Sequence, residues 1–177
     1  PQFATVRPGM MQVSAKRYDK MPTVFRESVL MNQNKMQIQN VFTKPKIDTI
    51  AEQNLLVAVG RGIQRKEDLA LFEELAQLLG GKLACSRALV EKGWLPSERQ
   101  IGLSGNSVAP EYLLTFGISG TVQFMAGMRN AKNIIAINHD ANAPIFHIAH
   151  YPICSDLYDV ANTMLTQLKQ KGADHDC

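Results

Sequence analysis

The chain has 177 residues, of which 45% are hydrophobic and 20% are charged, as in an ordinary globular domain with at most a short appendage. A net charge of +3 gives no indication of a nucleic-acid partner, and no apolar run approaches the roughly 20 residues that a membrane-inserted helix needs. The first 20 residues lack the apolar core of a signal peptide, and the three cysteines are unclustered. This pattern favours a reducing, cytoplasmic location of the bacterial type over a disulfide framework.

Residues 1–50 are predicted to be an extended appendage. The runs 23–31 and 36–43 are β-prone, and the Asn-rich stretch between them favours a hairpin or meander. Because the chain opens at Pro1 directly into an apolar stretch, we expect a remnant of a preceding domain followed by an extended β linker. The segment has few apolar residues, so we expect it to pack against another domain or chain.

Residues 51–177 show the alternation of an α/β domain. The apolar run 55–59 is typical of a strand buried on both faces, and further strands are predicted at 83–85, 112–116 and 134–137. Apolar residues at helical spacing predict a helix over 69–79, ended by a glycine pair, and a C-terminal helix over 157–168. Strands that alternate with helices predict a parallel sheet with helices on both faces.

Polar residues and glycines follow the predicted strands, at the edge where such sheets bind ligands. They form six loops, at 60–62, 86–87, 102–105, 117–120, 138–140 and 155–156. Glycines let backbone N–H groups approach an anion, and a serine that opens a helix adds a hydroxyl beside its positive end. One such loop is ordinary turn chemistry, but six at one edge favour a nucleotide-type cofactor. No Walker lysine or strict Rossmann fingerprint is present, so ATP hydrolysis is disfavoured and the nucleotide stays unidentified.

Several motifs, in order and spacing, resemble the electron transfer flavoprotein alpha-subunit family over about residues 54–170. The most distinctive are Ser86-Arg87 after the second strand, the stretches 99–105 and 143–146, and Gly117-Ile118-Ser119-Gly120. Residues 4–9 also resemble the strand that closes the preceding domain of that family. The resemblance implies a C-terminal FAD-binding domain over 51–177, of the electron transfer flavoprotein alpha/DHS-like type, that holds FAD without a covalent bond along its strand ends.

The resemblance also implies a set of cofactor-binding residues. Those for the pyrophosphate and ribityl region are Arg61, Ser119, Gly120, Thr121, Val122 and Gln123. Those for the isoalloxazine are Ser86, Arg87, Ile101, Gly102, Leu103 and Ser104, with Arg87 and the Ser104 hydroxyl near N5. Those for the AMP end are Asn138, Asp156 and Leu157. Phe124, beside the flavin ring, is the sixteenth residue of this cofactor-binding set. The resemblance implies no catalytic residue, and redox tuning falls to Arg87, Ser104 and Phe124.

Four residues depart from the family's usual pattern. Phe124 stands where the family usually has histidine, and it cannot donate the hydrogen bond that histidine gives to the N1–C2 carbonyl edge of the flavin. The family usually has lysine at His139, aspartate at His150 and glycine at Pro152. The changes at His139 and His150 concern the adenine end of the site.

Other potentially reactive side chains are given structural interpretations. His147 and His150 form an H-x-x-H pair, but no third ligand accompanies them, so no metal site is predicted. Cys85 and Cys154 flank the proposed cofactor loops and are predicted to be buried, unreactive thiols.

By resemblance, the chain is an electron-transfer subunit without its own substrate turnover, alone or within a larger reductase or electron-bifurcating complex. The implied partners are an electron transfer flavoprotein beta subunit, a flavoprotein dehydrogenase of the acyl-CoA dehydrogenase type as donor, and a redox acceptor. No nucleic acid or membrane insertion is implied. The alternative is a nicotinamide-nucleotide-binding enzyme domain on a similar parallel sheet, which a visible spectrum would distinguish from a flavoprotein.

Overall fold

The computed structural model describes residue 5 and residues 23–26, 39–41 and 49–175. The chain divides into two units, one made of residues 1–11 and 49–177 and the other of residues 12–48. In the smaller unit, the described residues contain no helix or strand, and the side chains of Val24, Phe25 and Val41 are exposed. The hairpin predicted over 23–43 lies mostly outside the described residues and stays a prediction.

The larger unit alternates strands and helices within its described residues. Its strands are β1 (Leu55–Val59), β2 (Lys82–Cys85), β3 (Tyr112–Phe116), β4 (Asn133–Asn138) and β5 (Tyr151–Cys154). Its α-helices are α1 (Leu69–Leu78), α2 (Arg87–Glu91), α3 (Val122–Met128) and α4 (Leu157–His175). The strands and helices predicted from the apolar pattern are confirmed, whereas β5 was not predicted by name. The sequence gives no strand signal for β5, because all four of its residues are exposed and Pro152 argues against a central strand.

All five strands are parallel, in the order β2-β1-β3-β4-β5, so the α/β prediction is confirmed. The chain runs outward from β1 to β2 and then returns to β3 on the other side of β1. The connections after β1 and β3 therefore leave in opposite directions, which opens a crevice at the carboxyl ends of these two strands.

The sheet is covered on both faces, as predicted. Val57 and Val59 belong to an apolar cluster with α1 and α4, whereas Leu56 and Ala58 belong to a second cluster with α3. This split follows from the two-residue period of side chains along a strand. Within the described part of the chain, no helix combines the length and apolar character that crossing a membrane requires.

Small side chains lie in register across the face that α3 covers. Ala84, Ala58, Thr115 and Ala136 are direct neighbours on β2, β1, β3 and β4. All four are fully buried, and helix α3 and Ile101, in the connection between α2 and β3, close over this face. Gly127 of α3 lies so close to this connection that a Cβ there would collide with backbone atoms of Gly102. The row of small residues thus lets the floor of the crevice lie close to the sheet.

Candidate functional site

The crevice at the carboxyl ends of the strands is a cavity of about 800 Å³. This volume is within the range of roughly 300–1,000 Å³ that is usual for small-molecule sites. The wall is built from the loops after β1, β3 and β4, the start of α2, the stretch 100–104 and the start of α3. Most of the predicted polar loops therefore meet in one place, as expected for parallel strands.

Twelve of the sixteen predicted cofactor-binding residues line this cavity. They are Arg61, Ser86, Arg87, Ile101, Gly102, Leu103, Ser104, Ser119, Thr121, Gln123, Phe124 and Asn138. The lining also includes residues that were not predicted as ligands, namely Gly62, Ala88, Glu91, Gln100, Gly117, Ile118, His139 and Asp140. Most of these belong to the loops already singled out, whereas Glu91 and Gln100 were missed. Glu91 follows Arg87 by four residues, and this helical spacing was the signal available for it.

Gly120 and Val122 lie beside the cavity but not on its wall. Gly120 has φ +85°, and a Cβ there would collide with the backbone nitrogen of Ile145. The Ile145 N–H donates to the Ser119 carbonyl at 3.0 Å, which fastens this loop to the short helix Pro144–His147. Gly120 is therefore required by packing, while Val122 is a largely exposed residue at the start of α3.

Asp156 and Leu157 are likewise absent from the cavity wall. The Asp156 Oδ1 accepts from the backbone N–H groups of Tyr158 at 2.7 Å and Asp159 at 3.2 Å, so this carboxylate caps α4. Leu157 is 5% exposed and belongs to the core cluster on the α1 and α4 face. The AMP contacts assigned to both residues stay predictions.

Asn138 joins two strand ends. Its Nδ2 donates to the Ile118 carbonyl at 2.9 Å, and its Oδ1 accepts from the Asp140 N–H at 3.0 Å. The side chain is buried, and these two hydrogen bonds satisfy both of its polar ends inside the protein. In this structure Asn138 fixes the loop after β4 against the loop after β3 and thereby shapes the cavity.

Gln100 orients the hydroxyl of Ser104. The Gln100 side chain is buried, and its Nε2 donates to the Ser104 Oγ at 2.9 Å. Because that oxygen already accepts a hydrogen bond, the hydroxyl hydrogen of Ser104 remains to be donated to another acceptor. The cavity therefore presents a donor at Ser104.

The charged groups on the wall are mixed in sign. Arg61 and Arg87 supply two guanidinium groups, the fork geometry that best matches phosphate and carboxylate oxygens. The Arg87 Nε donates to the Glu91 Oε1 at 2.8 Å, but both side chains are more than half exposed, so this pair contributes little to stability. Its effect is to direct Arg87 along α2, with its other N–H groups available for a ligand.

Phe124 contributes an apolar surface to the cavity. Its side chain is 4% exposed and belongs to the apolar cluster on the α3 face. Its backbone N–H donates to the Thr121 Oγ1, at 3.4 Å, which caps α3. The side chain therefore offers no hydrogen-bond donor at the place where the family usually has histidine.

The two described cysteines differ in exposure. Cys85 is fully buried, as predicted, and burial raises the pKa of its thiol from 9.0 to about 12, against a smaller lowering by the positive charge of Arg99. Cys154, which was also predicted to be buried, is exposed. The reason is that β5 lies at the edge of the sheet with all four of its residues exposed.

Alkylation with iodoacetamide at pH 8 is expected to modify Cys154 in the folded chain and to spare Cys85, because the thiolate is the reactive form. Peptide mass mapping measures this, with the urea-unfolded chain as the control in which both cysteines react. Equal labelling of the two cysteines in the folded chain would contradict this difference in reactivity.

The raised pKa of Cys85 also predicts that folding stability falls as the pH rises above about 9 towards 12, since the unfolded chain loses that proton first.

His150 has a structural role. The imidazole Nδ1 accepts from the Ile134 N–H at 2.9 Å, and the backbone N–H of His150 donates to the Ile134 carbonyl at 2.9 Å. These bonds join the starts of β4 and β5, whereas the cavity lies at the carboxyl ends of the strands, so the expectation that His150 concerns the adenine end is wrong. Within the described ranges, no three His, Cys, Asp or Glu side chains are grouped so that they could hold a metal ion.

Comparison with known proteins identifies relatives of the whole described unit. The model of the electron transfer flavoprotein FAD-binding domain matches residues 49–129. The LctC subunit of lactate dehydrogenase (NAD(+),ferredoxin) from Acetobacterium woodii is 39% identical over 96% of this chain and 41% of its own length. Protein FixB from Clostridium saccharobutylicum and the electron transfer flavoprotein subunit alpha from Clostridium acetobutylicum are each 38% identical over 96% of this chain and 52% of their own lengths. The chain thus spans about half the length of these relatives.

Proposed function

Because this chain belongs to the electron transfer flavoprotein alpha-subunit family, we propose that its cavity binds FAD without a covalent bond and that the bound flavin carries electrons between redox partners. The observation that carries the proposal is the convergence of twelve predicted ligand residues on one cavity of about 800 Å³. That cavity lies at the carboxyl ends of parallel strands, where α/β sheets bind nucleotides.

The residues present fit such a ligand. Two arginines and the hydroxyls of Ser86, Ser104 and Ser119 supply donors for phosphate, ribityl and ring atoms. Ile101, Ile118 and Phe124 supply apolar surface for a flat aromatic ring. Gly117 has φ +62° at the end of β3, and a Cβ there would approach Gly62 to 2.8 Å, so both loops require glycine to approach each other.

The proposed roles are those that the resemblance implies. Arg61 and the stretch 119–123 would hold the pyrophosphate and ribityl groups, and Ser86, Arg87 and the stretch 101–104 would hold the isoalloxazine. Asn138, Asp156 and Leu157 would support the AMP end, although Asp156 and Leu157 are not on the cavity wall. When bound, the flavin supplies one- and two-electron transfer. Arg87 and the donor hydroxyl of Ser104 would supply positive charge and a hydrogen bond to the electron-rich ring.

The partners are proposed on the same basis. We propose pairing with an electron transfer flavoprotein beta subunit, a dehydrogenase of the acyl-CoA dehydrogenase type as donor and a separate redox acceptor, with no substrate turnover by this chain itself. The relative named as a lactate dehydrogenase (NAD(+),ferredoxin) subunit favours a second candidate, in which the chain serves a larger oxidoreductase complex. Purification of the chain from its source with everything bound to it distinguishes the two.

Fluorescence titration is expected to show at least about 10-fold tighter binding of FAD than of FMN, because FMN lacks the AMP half. Losing a hydrogen bond to a charged group costs about 1.5–3 kcal/mol, so Asp156→Ala should weaken FAD binding at least about 10-fold. Since Asp156 also caps α4, Asp156→Asn is the matched control for the cap. It should keep the thermal stability of the parent while losing the charge.

Three outcomes would count against the proposal. Equal affinity for FMN and FAD would remove the argument for the AMP end. A chain that binds NADH in preference to FAD and stays colourless would support the nicotinamide-nucleotide alternative. Unchanged FAD affinity in Asp156→Ala would remove that residue from the site.

A further inference from the structure

Tyr158 links the start of α4 to the loop after β1. Its phenol oxygen accepts from the Gln64 N–H at 2.9 Å and donates to the Asp68 Oδ2 at 2.7 Å. These partners lie 94 and 90 residues away in the sequence. A single hydroxyl thus connects two segments that are distant in the sequence, because it accepts one hydrogen bond and donates another.

Asp68 completes the fastening of this loop. Its Oδ2 also accepts from the Arg65 N–H at 3.2 Å, and its Oδ1 lies 3.6 Å from the Arg65 Nε. Nearer to β1, the Gly62 N–H donates to the Gly117 carbonyl at 3.0 Å, and the Ile63 side chain is buried. The loop is therefore held at both ends, and Arg61 of the cavity wall lies at its beginning.

The other end of the link is equally well fixed. The Tyr158 backbone N–H donates to the Asp156 Oδ1 at 2.7 Å, and its ring lies 6.2 Å from that of Phe72. The strands β1 and β5 are not neighbours, because β3 and β4 lie between them. Tyr158 therefore joins two loops that no sheet hydrogen bond connects, and these loops carry Arg61 and Asp156.

The phenol stays in the protonated form that this link needs. Burial and the hydrogen bond to Asp68 both raise the pKa of Tyr158 above its ordinary value of 10.0. The hydroxyl therefore donates to Asp68 throughout the neutral pH range.

We propose that Tyr158 is a positioning residue: by tying Gln64 and Asp68 to the start of α4, it holds the loop after β1 in the conformation that keeps Arg61 on the cavity wall, and it thereby raises the affinity for the anionic part of the ligand. The inference rests on the proposed FAD site. Tyr158 itself does not line the cavity, so its effect on binding passes through Arg61.

The test is a double-mutant cycle on FAD affinity. Tyr158→Phe keeps the ring against Phe72 and removes both hydrogen bonds, and it should weaken FAD binding about 3- to 10-fold, as expected for losing a net hydrogen-bond contribution. In the Arg61→Ala background the same change should weaken binding less than about 2-fold, because the residue that it positions is gone. Tyr151→Phe, at an exposed tyrosine of β5, is the matched control and should leave the affinity unchanged.

Hydrogen exchange of the ligand-free chain gives a second measurement. Tyr158→Phe should speed exchange in the peptide that contains Gln64 and leave the core strands β1 and β3 unchanged. Equal losses of affinity in the parent and Arg61→Ala backgrounds, or unchanged exchange at Gln64, would overturn the positioning role. Failure of the parent chain to bind FAD at all would instead overturn the proposed function, so the two failures are distinguishable.

Discussion

Gly120→Ala is expected to destabilise the folded chain by about 2–5 kcal/mol and to abolish FAD binding. Two costs add at this position. Gly120 has φ +85°, where a residue with a Cβ is strained by roughly 1–2 kcal/mol. The new methyl group would also collide with the Ile145 backbone, and overpacking of this kind costs about 1–3 kcal/mol. Relief of the collision requires the Ile145 backbone and the loop 117–120, which forms part of the cavity wall, to move apart.

Gly93→Ala separates these two costs. Gly93 also has positive φ, +67°, but nothing lies within 4 Å of a Cβ at that position. This variant should therefore lose only the backbone contribution of about 1–2 kcal/mol and bind FAD normally. Urea unfolding measures both variants, and FAD titration follows for each. If Gly120→Ala were no less stable than Gly93→Ala, the contact of the new methyl group with Ile145 would contribute nothing to the loss of stability.

The fold could be predicted because local signals dominate it. The apolar runs of β1 and β3 are typical of strands buried on both faces, and the glycines and serines after them mark the ligand-binding edge. The edge strand β5 carries no such signal, since all its residues are exposed and one is proline. What defines β5 as a strand is its pairing with β4.

The site could be predicted in its loops but not in its supporting contacts. Gln100 is buried because its backbone pairs with Cys85 and its carbonyl accepts from the Asn106 N–H at 2.8 Å, which no local pattern reveals. The link between Tyr158 and Asp68 spans 90 residues and has no periodic signature. Such contacts depend on the tertiary arrangement, whereas loop composition depends on the chain near each strand end.

Phe124→His is expected to raise the potential for adding the first electron to the bound flavin by roughly 60–130 mV. Histidine adds a hydrogen-bond donor beside the ring edge where the resemblance places negative charge after reduction, and a hydrogen bond to a charged group is worth about 1.5–3 kcal/mol. For one electron, about 59 mV corresponds to about 1.4 kcal/mol, which gives this range.

The surroundings of Phe124 define the cost of the change and its control. The side chain is 4% exposed and packs in the apolar cluster on the α3 face, yet it lines the cavity. An imidazole at this position would be mostly surrounded by apolar side chains and could reach a polar partner only on the cavity side. Phe124→His should therefore also lower the free energy of unfolding of the ligand-free chain by about 1–3 kcal/mol. Phe124→Leu keeps the apolar character without a donor and should leave the potential close to that of the parent.

Redox titration of the FAD-loaded protein, followed by absorbance, compares the parent with both variants. Arg87 remains in all three proteins, so its charge makes the same contribution to each potential and cancels from the comparison. An upward shift in Phe124→His alone would assign the effect to the added donor. Equal shifts in the histidine and leucine variants would assign it to altered packing, and a downward shift in Phe124→His would show that its imidazole does not donate to the reduced ring.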